Sequence, residues 1–403
     1  MHGRAGRGKV PGQRGRVNAA VEPVRIEVVR NIADVAAADW NGLRGTQCPF
    51  LRHEFLLALE ETGCVAPASG WTPCHLLLRD QAGRLLGALP LYSKTSSYGE
   101  FVFDWAWADA YRRAGLRYFP KLVSAVPFTP ATSPRLLHAA GQEPEPVGLA
   151  LLSGATELAR QIEASSVHVL FPTAAETTLL SRAGFMSRKD CQFHWANRGY
   201  ADFDAFLGEF TAEKRKKAKR ERRRVAEAGI SFVRLSGGEI DATLWKKLMP
   251  LYASSFWRRG REPYLNEAFF MTVSAALPEN VLAIVAMLRG EPVATALCFR
   301  SADTLYGRYW GSEGDYHSLH FETCYYQGIE YCIEKGLRTF EPGTQGEHKI
   351  SRGFVPTETH SAHWLSHPQF ARAIDQYLDR ERAHIDEYME SASGHVPYRK
   401  GSG

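Results

Sequence analysis

Polar side chains suited to proton transfer and anion binding are concentrated in one stretch of the sequence, Thr304 to Trp364. They are Arg308, His320, Glu341, Gln345, Glu347, His348 and Lys349. A histidine, or a glutamate whose pKa is raised by its surroundings, accepts a proton near neutral pH. Glu341 and Glu347 are therefore the first candidates for a general base, and His320 and His348 are the alternatives. A single histidine at a helix start is also commonly a hydrogen-bonded structural residue.

The elements around these residues predict where they meet. Thr304 to Trp310 reads as a strand, and apolar residues at three-and-four spacing then predict a long helix that ends at Gly336. Leu337 to Glu341 reads as a second strand. A strand–helix–strand crossover makes the two strands parallel, so Arg308, Trp310 and Glu341 lie toward one edge of the sheet, where ligands usually bind. Arg308 is expected either to bind substrate or to form a structural ion pair with Glu341.

Bulk properties bound the class of protein. The chain has 403 residues, which is enough for two domains, and a net charge of +5. Its seven cysteines include no CxxC pair, so neither a disulfide framework nor a zinc site is predicted. The histidines of HSAHWLSH give only a weak zinc pattern, because His360 and His363 point to opposite faces of a strand. No apolar run reaches membrane-spanning length, and a cytoplasmic location is expected.

Two similar hairpins indicate an internal duplication. Trp71 to Tyr92 and Val281 to Arg300 each place two apolar strands around a turn, and aromatic segments follow both. We predict an α/β (α+β) chain with two units, each a mixed twisted sheet flanked by helices. The predicted divisions are a disordered basic N-terminus (1–23), a first domain (24–200), connecting helices (201–230), a second domain with the active cleft (231–390) and a loose C-terminus (391–403).

A strongly basic helix is predicted from Ala212 to Ala228. Its segment Lys214 to Arg224 holds nine basic residues against one acid, and residues 1–25 hold six against one. Repulsion among these charges is relieved by phosphates, so we expect a phosphate-bearing ligand, either a small molecule or tRNA. The alternative is a solvated surface helix. No aromatic residues are interleaved with the charges, so stacking of single strands is not expected, and neither is DNA binding.

Further substrate-binding candidates come from two loops. Arg135 lies in the proline-rich loop VPFTPATSPRLL and is a candidate anion ligand. Trp257, Arg258 and Tyr264 lie in or beside the basic aromatic segment WRRGREPYLNEAFF and are candidates for a pocket mouth. For all four residues, packing within the loop or core is an equally good explanation.

The two-unit arrangement with a basic helix entering the second unit resembles FemAB-like acyltransferases of the GNAT superfamily. The phrases QFHWANRGYADFDAFL, KRKKAKRERRRV, TLYGRYWG, LHFETCYYQGIEY and GTQGEHKISRGF, together with the proline-rich loop, are similar to those of a bacterial family of peptidoglycan biosynthesis or recognition proteins. The resemblance covers about residues 30–385. It implies tandem GNAT-like domains and amide-forming acyl transfer to an amine, with no metal and no bound redox cofactor.

The resemblance also suggests the co-substrates. Classical GNAT proteins hold coenzyme A pyrophosphate on a basic turn, but this chain has GSEGDYHSL there, and Glu313 and Asp315 disfavour an acyl-CoA. Aminoacyl-tRNA is therefore the favoured donor, and an acyl-CoA-dependent N-acetyltransferase or a non-catalytic binding protein for cell-wall precursors or RNA are the alternatives. By the same resemblance Lys349 is expected to hold a carboxylate or phosphate. The implied phosphate ligands on the basic helix are Lys214, Arg215, Lys216, Lys219, Arg220 and Arg223.

Overall fold

The computed structural model describes residues 23–344 and 346–399. Residues 1–22, which belong to the segment predicted to be disordered, and the site candidate Gln345 lie outside this part. Within it, no helix combines the length and apolar character needed to cross a membrane.

Fifteen strands form within the described residues. They are β1 (Arg25–Val29), β2 (Trp71–Pro73), β3 (His75–Arg79), β4 (Leu85–Leu89), β5 (Tyr92–Lys94), β6 (Lys121–Ser124), β7 (Leu137–His138), β8 (Ser166–Leu170), β9 (Met186–Ala196), β10 (Ile230–Ser236), β11 (Val281–Leu288), β12 (Glu291–Arg300), β13 (Thr304–Ser312), β14 (Thr339–Glu341) and β15 (Val355–Leu365). Both predicted hairpins are present, as β3–β4 and β11–β12.

The same residues form twelve α-helical segments. They are α1 (Ala37–Asn41), α2 (His53–Glu61), α3 (Trp105–Arg113), α4 (Pro144–Gln161), α5 (Ala174–Arg182), α6 (Phe203–Gly208), α7 (Ala212–Glu227), α8 (Ala242–Trp257), α9 (Glu267–Ala276), α10 (Leu319–Phe321), α11 (Gln327–Lys335) and α12 (Pro368–Ser393). A π-helical turn, Glu322–Tyr326, joins α10 to α11. Together these three form the predicted long helix, which ends at Gly336 with φ 67°.

One large sheet runs through the molecule. Eleven strands pair in the order β10-β11-β12-β13-β14-β9-β15-β8-β6-β5-β2, and a smaller sheet has the order β1-β3-β4-β7. Strand β9 closes the first half of the chain but pairs with β14 of the second half, and β15 of the second half pairs with β8 of the first. The two halves therefore exchange their last strands, and β9 and β15 pair along nine residues at the junction.

Each half contains a parallel strand pair joined by a helical crossover. In the first half β6 and β8 are parallel and α4 connects them, and in the second half β13 and β14 are parallel and α10–α11 connects them. We call these halves the first and second units. One hydrophobic core spans both units, because Phe50 and Phe55 of the first pack edge-on against Phe299 of the second.

The C-terminal residues that we predicted to be loose are packed as far as the structure describes them. Helix α12 continues to Ser393, and the ring of Tyr398 packs against Phe210 with 5.4 Å between ring centres. The Tyr398 hydroxyl also donates to the backbone carbonyl of Gly353. This segment closes the core beneath α6 instead of extending into solvent.

Candidate functional site

The two parallel strands of the second unit separate at their carboxyl ends. Strands β13 and β14 pair only from Thr304 opposite Thr339 to Tyr306 opposite Glu341. Strand β14 begins at Thr339, two residues after its predicted start at Leu337, and ends at Glu341 as predicted. Strand β13 continues to Ser312 along β12. A wedge between the two parallel strands is therefore present, and it opens at the edge of the sheet where the polar residues were predicted to meet.

A β-bulge shapes the wall of this wedge. Leu297 of β12 lies opposite Tyr309, whereas the next residue, Cys298, lies opposite Gly307, so Arg308 is the extra residue. A bulge re-aims side chains and leaves backbone groups free of the ladder. Gly307 also permits a close approach, because a Cβ there would lie 3.3 Å from the backbone of Pro342. The bulge turns the Arg308 side chain toward the opening.

A cavity of about 430 Å³ lies beyond the wedge. Its inner wall contains Arg308, Tyr309 and Trp310 of β13, Pro342, Gly343 and Thr344 after β14, His320 and Tyr325 of the helix, and His348 and Lys349. Its outer wall contains Tyr264, Phe256, Arg259 and Arg261 of the second unit and Ser97, Tyr98, Phe101, Phe103, Trp105 and Pro130 of the first. Six predicted site residues therefore share one cavity: Arg308, Trp310, His320, His348, Lys349 and Tyr264.

Glu341 lies beside this cavity in a tighter space. That space is lined by Glu341 with Tyr306, Gln192, Pro130 and Ala131, and it shares Arg308 and Gly343 with the larger cavity. The carboxylate accepts a 3.4 Å hydrogen bond from the backbone N–H of Thr132. Burial raises the pKa of Glu341 to about 8, and the Thr132 N–H and the charges of Arg308 and Arg135 lower that pKa only in part. The group thus changes charge near neutral pH, which suits a proton acceptor.

The two histidines that line the cavity both have lowered pKa values. Burial lowers the pKa of His320 to about 4, and the nearby positive charges of His348, Arg352 and Lys349 act in the same direction. Burial is thus the main cause of the lowered pKa of His320. Burial also lowers the pKa of His348, whose Nε2 lies 2.8 Å from the Tyr325 hydroxyl.

Lys349 is almost fully buried and reaches into the same space. Its ammonium donates to the backbone carbonyl of Gly343, which follows the end of β14. Burial lowers the pKa of Lys349 to about 7. Because a partly desolvated cation attracts an anion strongly, Lys349 is well placed to hold a carboxylate, a phosphate or a developing oxyanion.

Two residues at the wedge have contacts that differ from the predicted ones. Arg308 does not pair with Glu341; its guanidinium donates to the carbonyl of Phe128 at 2.9 Å, because the proline-rich loop of the first unit covers this side of the wedge. Glu347 is exposed, does not line the cavity and accepts a hydrogen bond from the Tyr388 hydroxyl of α12 at 3.0 Å. Of the two glutamates predicted as bases, only Glu341 lies beside the cavity.

Arg135 serves the fold and does not face the cavity. Its side chain is fully buried, and it donates to the carbonyls of Leu170 at 2.8 Å and Ala131 at 3.1 Å. Leu170 is the last residue of β8, which with β6 forms the parallel pair of the first unit. The guanidinium and the proline-rich loop therefore fill the place beyond this pair that corresponds to the wedge beyond β13 and β14 in the second unit. The prediction that Arg135 binds an anion is therefore wrong, and the alternative of packing within the loop is correct.

Trp257 and Arg258 lie outside the cavity. They line a separate cleft of about 800 Å³ between the end of α8 and the turn after β13. The Arg258 guanidinium donates to the backbone carbonyl of Ser312 at 2.7 Å. The two openings are divided at Gly311, where a Cβ would meet the backbone of Leu251 at 1.6 Å, so helix α8 lies directly on β13 there. These two residues were predicted to shape a pocket mouth, and the structure places them at this separate cleft and not at the cavity beyond the wedge.

Five of the six predicted phosphate ligands line one groove along helix α7. They are Arg215, Lys216, Lys219, Arg220 and Arg223, and the groove measures about 410 Å³. Lys214 does not line it. Lys219 pairs with Asp204 at 2.8 Å and Arg223 with Glu227 at 3.4 Å, so part of the positive charge is compensated. For Arg215, Lys216 and Arg220 no carboxylate partner lies within ion-pair distance in the described ranges.

A buried ion pair that the sequence analysis missed connects α7 to the cavity. Glu221, the one acid within the basic run, accepts from the Arg352 guanidinium at 2.7 Å and from the Tyr326 hydroxyl at 2.6 Å. Arg352 also donates to the carbonyl of His348 at 2.6 Å and stacks on the Phe321 ring. Glu221 and Arg352 therefore fix the segment that carries His348 and Lys349. The signal available in the sequence was a lone acid at an inward-facing helical position.

Comparison with known proteins places this architecture. The profile of the FemAB-like family, described as peptidoglycan biosynthesis/recognition, matches residues 31–400. The chain belongs to the FemAB-like family. No curated protein sequence matches it significantly.

Solved structures similar to this FemAB-like protein share its fold at low sequence identity. The C-terminal domain of a protein described as a lysylphosphatidylglycerol synthetase, from Agrobacterium fabrum, has 10% identity and a TM-score of 0.53, with 92% of this chain and 100% of that chain covered. FemX has 12% identity and a TM-score of 0.48, with 77% and 92% covered. A tandem GNAT protein from the clavulanic acid biosynthesis pathway has 12% identity and a TM-score of 0.45, with 86% and 99% covered. The predicted α/β fold with two units of sheet and helices is confirmed, and the first of these structures shares that fold.

Proposed function

We propose that this FemAB-like protein is an N-acyltransferase, which transfers an acyl or aminoacyl group to an amine in the wedge of the second unit. The observation that supports this best is the separation of β13 and β14 beside a cavity that holds neutral bases and Lys349. A gap of this kind holds an acyl group by backbone contacts and keeps the attacking amine close to it. Enclosure between two units also limits access of water.

The residues support a direct transfer. The amine nitrogen attacks the acyl carbonyl carbon, a C–N bond forms, and the bond from carbon to the donor's leaving oxygen or sulfur breaks. In this proposal Glu341, as carboxylate, accepts the proton that the amine loses, and Lys349 stabilises the negative charge that develops on the carbonyl oxygen. Glu341 is favoured as the base over His320, because a pKa of about 8 lies nearer to neutral pH than one of about 4.

An aminoacyl-tRNA is the favoured donor in this proposal. The groove on α7 offers Arg215, Lys216 and Arg220 to a chain of phosphates, and these charges lack carboxylate partners in the part of the chain that the structure describes. Glu313 and Asp315 are exposed on the turn after β13 and repel a pyrophosphate there. Binding of an acyl-CoA that stabilises the protein against heat, with no effect of tRNA, would favour the alternative donor.

Substitution of Glu341 tests the chemistry. Glu341→Gln keeps the shape and the hydrogen bond from Thr132 but removes the proton acceptor, so we expect turnover to fall by about two to four orders of magnitude. Substrate affinity should change little. The matched control is Glu347→Gln, which alters an exposed carboxylate only six residues away and is expected to leave turnover unchanged. Steady-state amide formation should be measured for both variants. Full activity of Glu341→Gln would contradict the assignment, and binding without turnover in the wild type would favour a non-catalytic binding protein.

A further inference from the structure

The loop before α3 and the first residue of that helix present three aromatic side chains to solvent. Tyr98, Phe103 and Trp105 are 53%, 57% and 45% exposed, although they lie within eight residues of one another. Removing large aromatic side chains from water is energetically favourable, and a group of them exposed together usually marks a contact surface. We call these three residues the aromatic shelf.

The shelf is held rigidly from behind by buried charges. Lys121 of β6 is fully buried, and its ammonium donates to Glu100 at 2.7 Å, to Ser97 at 3.0 Å and to Asp104. These three partners alternate along the loop with the exposed aromatic residues. Because the polar side chains are anchored inward, Tyr98, Phe103 and Trp105 are oriented outward.

A second anchor acts at the start of the loop. Lys94 is also fully buried, and its ammonium donates to the carbonyl of Tyr98 at 3.1 Å and lies 3.8 Å from the centre of the Trp71 ring. The exposure of the shelf is therefore a property of an anchored loop and not of a loose one.

The shelf lies at the mouth of the cavity next to uncompensated positive charge. Tyr98, Phe103 and Trp105 line the cavity together with Arg259 and Arg261. Arg261 lies 5.8 Å from the centre of the Tyr98 ring, and within the described residues neither arginine forms an ion pair with a carboxylate. None of the residues that line the cavity is an aspartate or a glutamate. The adjacent acid, Glu262, does not line it.

We propose that the aromatic shelf, with Arg259 and Arg261, docks the mouth of the cavity onto an anionic membrane surface. Aromatic side chains settle at the level of lipid headgroups, and arginines beside them attract anionic lipids. Phe103 has no polar atom to offer a soluble partner, so an apolar layer suits it better than a purely polar ligand. The amine or the acyl donor then enters the cavity from the lipid side. This inference goes beyond the proposed function and does not depend on turnover.

Co-sedimentation with vesicles tests the docking without any assay of acyl transfer. The full chain should bind vesicles of phosphatidylcholine and phosphatidylglycerol in a seven-to-three ratio, and should bind pure phosphatidylcholine weakly. Phe103→Ser with Trp105→Ser should weaken binding at least about tenfold, because two apolar groups no longer leave water. Arg259→Gln with Arg261→Gln should weaken it about 25-fold, since each arginine near the surface contributes about fivefold.

Matched controls separate the shelf from general effects. Met271→Ser removes another exposed apolar side chain, and Arg289→Gln with Lys335→Gln removes two exposed charges elsewhere on the second unit. Both controls should bind vesicles like the wild type, and melting curves should show that all variants are folded. The proposal is overturned if the wild type does not bind anionic vesicles or if the shelf variants bind as well as the controls. It is also overturned if the shelf binds an RNA oligonucleotide and not vesicles. Loss of turnover in Glu341→Gln with intact vesicle binding would leave both proposals standing separately.

Discussion

At the scale of single residues, the site depends on two ionisable groups whose pKa values are shifted toward neutral pH by burial. Glu341 and Lys349 have pKa values near 8 and 7, although an exposed glutamate and lysine differ by about six units. Burial favours the neutral form of each group, and so it moves the two values toward each other. A carboxyl and an amine that both titrate near pH 7 can exchange protons with a substrate at little cost.

The shift of Glu341 predicts a pH dependence of stability. In the unfolded chain the carboxyl ionises near 4.5, whereas in the folded protein it stays protonated up to about 8. The unfolded state therefore binds fewer protons than the folded state between these values, and this contribution to stability is lost as pH rises from 4.5 to 8. Thermal unfolding should be measured from pH 5 to 8.5. Over this range the free energy of unfolding of the wild type should fall by on the order of 3 kcal/mol relative to that of Glu341→Gln. Parallel profiles for the two proteins would contradict the raised pKa.

Several site residues predicted from the sequence lie together at the carboxyl ends of the parallel strands. Arg308, Trp310 and Lys349 line one cavity because parallel strands end at the same edge of a sheet, which a strand–helix–strand pattern reveals. Arg135 and Glu347 were misplaced, because a side chain's burial depends on contacts with distant segments. Tyr98, Phe103 and the rest of the first-unit wall could not be predicted, since no local pattern shows which loop of one unit covers the other.

At the scale of elements, helix α7 has an outer face rich in basic residues and an inner face that supports the cavity. The outer face carries the groove of basic residues, and the inner face carries Glu221. Through Arg352, Glu221 holds the carbonyl of His348. The existence of this helix and its end near residue 228 followed from composition, whereas its inner contact did not. The π-helical turn Glu322–Tyr326 was also not predicted, because one extra residue in a turn leaves the spacing of apolar residues almost unchanged.

Removing the Glu221 carboxylate tests this link. Glu221→Ala leaves the buried guanidinium of Arg352 without its partner, so we expect stability to fall by about 3–5 kcal/mol. The turn that carries His348 and Lys349 should shift as well, and turnover should fall further than the stability loss explains at temperatures where the variant is folded. Glu213→Ala, on the exposed first turn of α7, should cost less than about 1 kcal/mol. Denaturant unfolding and turnover should be compared for both variants; equal behaviour would exclude a supporting role for Glu221.

At the scale of the whole molecule, the exchange of β9 and β15 makes the two units one structure. Neither unit keeps its own last strand, and the eleven-stranded sheet is continuous across the junction. The pattern of strands along the chain indicated two units but not the exchange. Strand propensity and periodicity show where a strand lies and not which of several similar strands it pairs with.

The exchange predicts that the units unfold together. Leu122→Ala in β6 and Leu305→Ala in β13 each remove a fully buried side chain from a different unit, at a cost of about 2–5 kcal/mol. Because the units share a sheet and a core, both substitutions should lower the same single calorimetric transition. Two transitions, with each variant shifting only one of them, would show that the units are independent.

The filled opening in the first unit has a consequence for stoichiometry. The guanidinium of Arg135 occupies the place that corresponds to the wedge, and hydrogen bonds to Leu170 and Ala131 hold it there. Within the described residues, only the wedge of the second unit therefore stays open, and in the proposed function it holds one acyl group. A calorimetric titration with the acyl donor is expected to saturate at one molecule for each polypeptide. The first unit then serves to cover the cavity of the second.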